Sequence, residues 1–194
     1  MRTFRHQVFV LAVTALVCGG TACQTGQPLQ AFDARRYMGD WYVQRIWGTG
    51  AGSTACMRMF YQQADDGSVE VRNSMIAVPY LNPLTLSGVK RISGSEPGRF
   101  MVYPSAGPLN IAPTPSWVVA LDPDYQWAAV AAGPPTQPSA LGCVPSERTG
   151  GMTIMTRLRD PPGALMKQAL ASMALQGYDT SMMTTVRQDG FPCM

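Results

Sequence analysis

The chain has 194 residues, of which 46% are apolar and 14% charged, and a formal net charge of +3. That length supports one domain with a sizeable core, and that apolar share excludes wholesale disorder. Setting Arg2 and Arg5 aside leaves 13 basic residues against 12 acidic ones, and no Lys/Arg cluster interleaves with aromatics, so nucleic acid is excluded as a partner.

Residues 1–22 read as a secretory leader. Arg2 and Arg5 give a charged start, Val8 to Val17 an apolar run, and Gly20-Thr21-Ala22 a small-residue cleavage site. The run is too short to span a bilayer, which needs about 20 residues. The domain then occupies 23–194. Cys23, directly after Ala22, leaves a second reading open: a lipoprotein signal, with Cys23 acylated and the chain tethered to a membrane. Gly20 departs from the leucine usual at that position.

Cys18 leaves with the leader, and Cys23, Cys56, Cys143 and Cys193 remain. With no Cys-x-x-Cys pair, zinc and thioredoxin-type sites are not supported, and two disulfides are the plain reading. Three connectivities stay open.

From Gly39 the pattern turns β. Alternation runs through Trp41, Val43, Arg45 and Trp47, then through Cys56 to Gln63 after a glycine-rich loop. Asp65-Asp66-Gly67 is a hairpin signal, followed by alternation at Val69 and Val71. Further strands are expected at Leu84 to Ile92, Phe100 to Tyr103, Trp117 to Leu121, Tyr125 to Ala131 and Met152 to Leu158. Pro104 to Pro115 and Ala132 to Gly151 are too proline-rich for central strands and read as surface loops. About eight short strands at regular spacing predict a barrel or sandwich. One amphipathic helix is predicted over 161–176, capped by Asp160, with Pro161 in its first turn and Gly177 at its end. Leu165, Ala169, Leu170 and Met173 share its apolar face. Met183 to Val186 has room for a last short strand.

Strand alternation names an inward face. If Trp41 points in, so do Val43, Arg45 and Trp47. Met57, Met59 and Tyr61 share a face, as do Val69, Val71 and Asn73. These nine positions after Trp41 are the candidate ligand-binding set, apolar with a few polar handles. Arg45 reads equally as a partner for a ligand carboxylate or as a snorkelling surface side chain.

The sole histidine, His6, lies in the leader. A mature chain without histidine excludes Ser–His–Asp and Cys–His catalysis and histidine-ligated metal. No phosphate or dinucleotide fingerprint is present. No catalytic residue, cofactor or metal site is expected.

Three motifs occur in order: Gly39-Asp40-Trp41-Tyr42 preceded by Phe32 to Met38, Asp122-Pro123-Asp124-Tyr125 with its flanks Ala120 to Val130, and Ile154-Met155-Thr156-Arg157. Gln176 to Ser181 adds a fourth segment after the helix. Together these resemble the lipocalin family, particularly its bacterial outer-membrane and apolipoprotein-D-like branch, over roughly residues 32–193. The resemblance implies an all-β, eight-stranded antiparallel up-and-down barrel with one C-terminal helix packed outside. It implies an exported carrier for a small hydrophobic ligand, whether lipid, fatty acid, sterol, retinoid or pigment. Trp41 would sit across the closed end under Arg157, with Gly39, Asp122 and Tyr125 in structural roles. It also implies the disulfides Cys23–Cys143 and Cys56–Cys193, although Cys143 is displaced within a loop longer than the family's, and Leu158-Arg159 lengthens the segment before the helix. The alternative is a lipocalin-type enzyme, an isomerase or de-epoxidase acting on a bound lipid or pigment; the isomerase would need Cys56 unpaired. Secretion, or anchoring at Cys23 as the one route to a membrane, follows from the leader. Oligomeric state is left open.

Overall fold

The computed structural model describes residues 23, 26–48, 51–78, 82–92, 96–104, 112–146, 151–190 and 193. The expected leader, 1–22, lies outside the described residues.

Seven strands follow one another as β1 (Gly39–Trp47), β2 (Thr54–Gln63), β3 (Val69–Ala77), β4 (Asn82–Ile92), β5 (Arg99–Pro104), β6 (Thr114–Leu121) and β7 (Trp127–Ala131). A small ribbon of β8 (Gln137–Pro138) and β9 (Cys143–Val144) intervenes before β10 (Met152–Thr156). Each of β1 to β7 pairs antiparallel with the next, and β10 pairs with both β7 and β1. That second pairing closes a ring of eight strands, wide enough to enclose side chains and one small ligand. β11 (Thr184–Thr185) adds to β1. The long proline-rich connection after β7 therefore carries its own ribbon rather than running as plain loop.

Local chemistry fixes the turns. In the β2–β3 hairpin Gly67 takes φ +80°, and the Asp66 carboxylate accepts from the Ser68 N–H at 2.9 Å. Between β6 and β7, the Asp122 carboxylate accepts from the Asp124 and Gln126 N–H groups at 3.2 and 3.0 Å, and Tyr125 adopts φ +58°. Asp and Asn favour such turns because a short polar side chain satisfies nearby N–H groups.

After the one-turn α1 (Ala34–Tyr37), the second helix, α2, spans Gly163–Leu175, starting later than the sequence predicts. Asp160 does not cap it. Pro162 holds the N-cap position, with no side-chain bond to the helix. Asp160 and Pro161 each precede a proline, which disfavours helical backbone at both. Gly177, at φ +87°, closes the far end. Ala169 and Met173 are fully buried, and Leu165, Met166 and Leu170 pack beside them. They cover outward residues of β6 and β7, among them Val119, Trp127, Ala129 and Ala131, in a cluster that continues to Met152 and Ile154 of β10. A separate cluster fills the barrel: Tyr37, Trp41, Val43, Ile46, Met57, Tyr61, Val69, Met75, Phe100, Val118, Ala128 and Met155. The helix thus lies outside, against β6 and β7, and apolar layers pack on both faces of that wall.

Three β-bulges decide which residues enter which layer. They fall between Val43 and Arg45, between Ala55 and Arg58, and between Val118 and Ala120. A bulge puts two residues opposite one and reverses the alternation beyond it.

The seam between β1 and β10 has no spare room. A Cβ placed on Gly151 would occupy the position of the Trp47 carbonyl oxygen. Gly151→Ala should therefore prise the seam apart and cost about 3 kcal/mol, the upper end for overpacking. Gly163→Ala, where an added Cβ meets nothing within 4 Å, should lose nothing. Chemical denaturation of both variants checks the contrast.

Candidate functional site

The closed end is built first. Asp33 caps the one-turn helix α1 (Ala34–Tyr37) by accepting from the Arg35 N–H at 2.9 Å. This turn lays Tyr37 under the barrel, where its ring meets those of Trp41, Tyr61 and Phe32 at 5.1, 5.0 and 5.0 Å. The Trp41 indole N–H donates to the Tyr37 carbonyl at 2.8 Å, and the Tyr125 hydroxyl accepts from the Asp33 N–H at 2.8 Å. Arg157 stacks 3.8 Å above the Trp41 ring. Its two terminal nitrogens donate to the carbonyls of Asp40 and Arg36 at 2.8 and 2.7 Å. Gly39, at φ +90°, passes beneath the guanidinium, 3.5 Å from where its Cβ would be. Arg36 stacks on Tyr125 at 4.2 Å, and Asp40 pairs with Arg58 at 2.7 Å. Burial raises the Tyr37 and Tyr61 pKa values well above the ordinary phenol range, so both stay neutral; partial burial lowers that of Arg157, opposed by Tyr37 and Asp40. This end is a plug of rings and a clamp of backbone bonds.

Above the plug, β2, β3 and β4 share an inward face. Tyr61 stands opposite Val71, and Met59 opposite Asn73. Asn73 in turn faces Leu86, and Met75 faces Leu84. Directly opposed residues project to one side of a sheet, and Met75 belongs to the interior cluster. Leu84 and Leu86 are therefore interior-facing, yet they are 43% and 50% exposed. Nearer the plug Tyr61 is 2% exposed, and Met57, level with Leu84 across β3, is 6% exposed. The interior is packed around Tyr61 and Met57 and open at Leu84 and Leu86. The Tyr61 hydroxyl donates to the Met59 sulfur at 3.1 Å. The Asn73 amide oxygen is buried with no hydrogen-bond partner among the described residues.

Of the nine candidate ligand-binding positions, Val43, Met57, Met59, Tyr61, Val69 and Val71 lie in or against the interior cluster, and Asn73 lines the same face through its pairing with Met59. Arg45 and Trp47 do not join them. Beyond the β1 bulge, Arg45 stands opposite Ile154 and donates to the Thr185 hydroxyl, while Trp47 stands opposite Met152 and packs into the layer under α2. The expected run of inward residues through Trp47 is corrected by that one extra residue, which sends Ile46 inward instead. Met75, Leu84 and Leu86 were missed as lining residues. Leu84 and Leu86 sat in a recognised alternating strand, but their facing depends on register against β3, which alternation alone does not supply.

A family model described as a lipocalin-like domain matches residues 32–188. The chain belongs to the lipocalin family. Solved lipocalin-fold relatives include the cockroach allergen Per a 4, at 19% identity over 86% of this chain and 94% of that one with TM-score 0.60. Insecticyanin of the tobacco hornworm Manduca sexta matches at 15% identity, 87% of each chain and TM-score 0.64. The amine-binding protein of Rhodnius prolixus, solved as its tryptamine complex, matches at 14% identity, 85% and 86% coverage and TM-score 0.60. At such identities the likeness carries the fold. No curated protein matches the chain.

In this lipocalin all four cysteines among the described residues are bridged, Cys23 to Cys143 and Cys56 to Cys193. The Cys23 sulfur is thereby taken, so Cys23 itself offers no thiol for acylation. Cys56 turns away from the interior into a small outer cluster with Ala55 and Ile76, so the reactive thiol that an isomerase would need is absent from the barrel. Disulfides and family together point to an extracytoplasmic protein.

Asp179 fastens the loop carrying Cys143 to the segment after α2. It is 1% exposed and accepts from the Ser139 hydroxyl at 2.7 Å, the Leu141 N–H at 3.0 Å and the Ser181 N–H at 3.0 Å. Burial alone would raise its pKa, but the Ser181, Leu141 and Ser139 bonds outweigh it and lower the value. A depressed folded pKa adds stability that is present above the unfolded carboxylate value, about 3.9, and is lost as pH falls through the folded value. Asp179→Asn should lower stability at neutral pH by about 2 kcal/mol and flatten the loss of stability below about pH 4. Thermal unfolding of both proteins across pH 2–7 (about five steps) checks it.

Proposed function

We propose that this lipocalin is an exported carrier that holds a small hydrophobic molecule in its barrel without chemical turnover. One observation carries the reading: Leu84 and Leu86 face the interior by register but stay 43% and 50% exposed. Apolar side chains that face inward and yet stay exposed are what a hydrophobic ligand covers. Met57, Met59 and Met75 add adaptable thioether surface to the same wall. The Rhodnius protein's tryptamine complex and its description as amine-binding support small-molecule binding on this fold. The disulfide pairing matches that implied by the apolipoprotein-D-like resemblance, which supports placing the chain in that branch. The bridged Cys23 favours a freely secreted form over an anchored one.

A titration panel of fatty acids, retinoids, sterols and haem, followed by tryptophan fluorescence, tests the reading. Trp41 in the plug is the interior reporter. At least one class should bind the parent. Met59→Arg should abolish that binding, because a charge forced into an apolar site is costly. Arg72→Glu, on the outward face of β3, should leave it unchanged. If no class binds, or both variants bind alike, the carrier reading is wrong.

A further inference from the structure

We propose that the protein docks on a lipid bilayer through Leu141, Leu175 and Met182, three exposed apolar side chains mounted around Asp179. The inference goes beyond the carrier reading, since it names an outer surface rather than an occupant of the barrel. Among the described residues seven large apolar side chains are exposed. Leu84 and Leu86 face the interior, Tyr103 lies on β5 and Leu158 precedes α2. The other three come from separate parts of the sequence and meet at one carboxylate. Leu141 tips the β8–β9 ribbon at 78% exposure, and its N–H donates to Asp179 at 3.0 Å. Leu175, at 82%, ends α2, and Met182, at 43%, ends the one-turn 3-10 helix Thr180–Met182 that Asp179 caps. A parallel bridge joins Cys143 to Tyr178, two residues after Leu141 and three after Leu175. Exposed apolar residues scattered singly are ordinary, whereas three around one buried carboxylate make a patch.

Area, charge and position identify what covers the patch. The three side chains expose on the order of 300 Å², well short of the roughly 800 Å² per partner in a stable protein complex. They are aliphatic, while protein hot spots favour Trp, Tyr and Arg. Residues 126–146 carry no Asp, Glu, Lys or Arg, and residues 168–186 carry only Asp179, which is buried and bonded. Dipping these segments into an apolar phase therefore strips water from none of their charges. The Cys23–Cys143 bridge and the bonds to Asp179 hold the ribbon and the segment after α2 in place, so docking orders little that is not already ordered. The connection that carries Leu141 leaves the barrel at Ala131 and returns at Met152, which pairs with Trp47 at the end of β1 away from the plug. Leu84 lies toward that same end, two residues into β4. A carrier docked here brings its open end to the phase in which an apolar ligand dissolves.

Co-sedimentation of the intact disulfide-bonded protein with phosphatidylcholine vesicles tests the surface. The parent should bind them, and adding phosphatidylserine or raising salt to about 1 M should change its partition by less than about two-fold, because apolar contact carries the docking. Leu141→Ser/Leu175→Ser/Met182→Ser should lower the partition more than about ten-fold. Leu141→Ser and Leu175→Ser alone should each lower it about three-fold, which keeps the test open if the triple variant folds poorly. Leu158→Ser, at an exposed leucine outside the patch, should bind vesicles as the parent does, and so should Met59→Arg inside the barrel. No binding by the parent, binding that requires phosphatidylserine, single and triple variants that bind like the parent, or an equal loss in Leu158→Ser or Met59→Arg each overturns the inference. Sedimentation velocity of the parent should show a monomer; a dimer that the triple variant dissolves would give the patch to a second copy instead. The ligand titration of the carrier reading, run on the triple variant without vesicles, should match the parent. Ligand binding without vesicle binding sinks the docking surface and leaves the carrier reading standing, and vesicle binding without ligand binding does the reverse.

Discussion

Arg157→Ala is expected to lower the unfolding free energy by about 2–4 kcal/mol, from lost bonds to half-buried carbonyls together with a lost ring stack. The guanidinium makes two short bonds to the Asp40 and Arg36 carbonyls and a longer one, at 3.4 Å, to the Tyr125 carbonyl. Truncation leaves those acceptors without donors at the barrel floor, at about 1–3 kcal/mol for each one that water does not reach. It also removes the face of Trp41's stack, about 0.5–2 kcal/mol. Lysine keeps the charge but cannot present a planar fork to two carbonyls while stacking on an indole, so Arg157→Lys should recover less than half of the loss. Arg159 is the comparison. Its side chain makes one bond among the described residues, to the Gln188 carbonyl, and is exposed, so Arg159→Ala should cost about 1 kcal/mol or less. Urea denaturation of the three variants decides the matter. Equal losses for Arg157→Ala and Arg159→Ala would mean that the clamp contributes little.

Removing Cys56 and Cys193 together should cost about 4–5 kcal/mol, because their bridge spans 137 residues and restrains the unfolded chain over most of its length. The bond joins β2 at its bulge to the far C-terminal tail. That tail also passes β11 and donates through Gln188 to the carbonyls of Val43 and Met57 at 2.7 and 3.0 Å. Losing the bridge should therefore loosen the outer edge of β1 as well. For a chain of this size 1 kcal/mol corresponds to about 2–4 °C, so the melting temperature should fall by roughly 10–20 °C. Differential scanning calorimetry of Cys56→Ala/Cys193→Ala checks it. A shift of a degree or two would show that the tail is held by its backbone pairing alone.

Most of the barrel was legible in the sequence because its strands are short, alternating and punctuated by Gly, Pro and Asp turns. The single helix was legible from its apolar face. Its start was misread because the Pro161-Pro162 pair works against helical backbone at Asp160 and Pro161, a constraint that outranks a good capping residue. The plug was readable only through resemblance: nothing in the spacing of Trp41 and Arg157 places one above the other. The interior face of β1 was lost at Arg45, where a bulge reverses alternation without any glycine to announce it. The open wall of Leu84 and Leu86 required the β3–β4 register, which is a tertiary property. Asn73 was picked out by alternation as an inward residue, but that its amide oxygen has no partner depends on what surrounds it.

Native mass spectrometry of the protein purified from its own source tests the carrier account most directly. The expected spectrum shows the chain with two disulfides intact, carrying one non-covalent small-molecule mass that collisional activation strips away. The same preparation of Met59→Arg, folded by circular dichroism, should carry no such mass. A parent spectrum of bare chain alone, or an adduct that persists unchanged in Met59→Arg, would contradict the claim that the barrel holds a ligand.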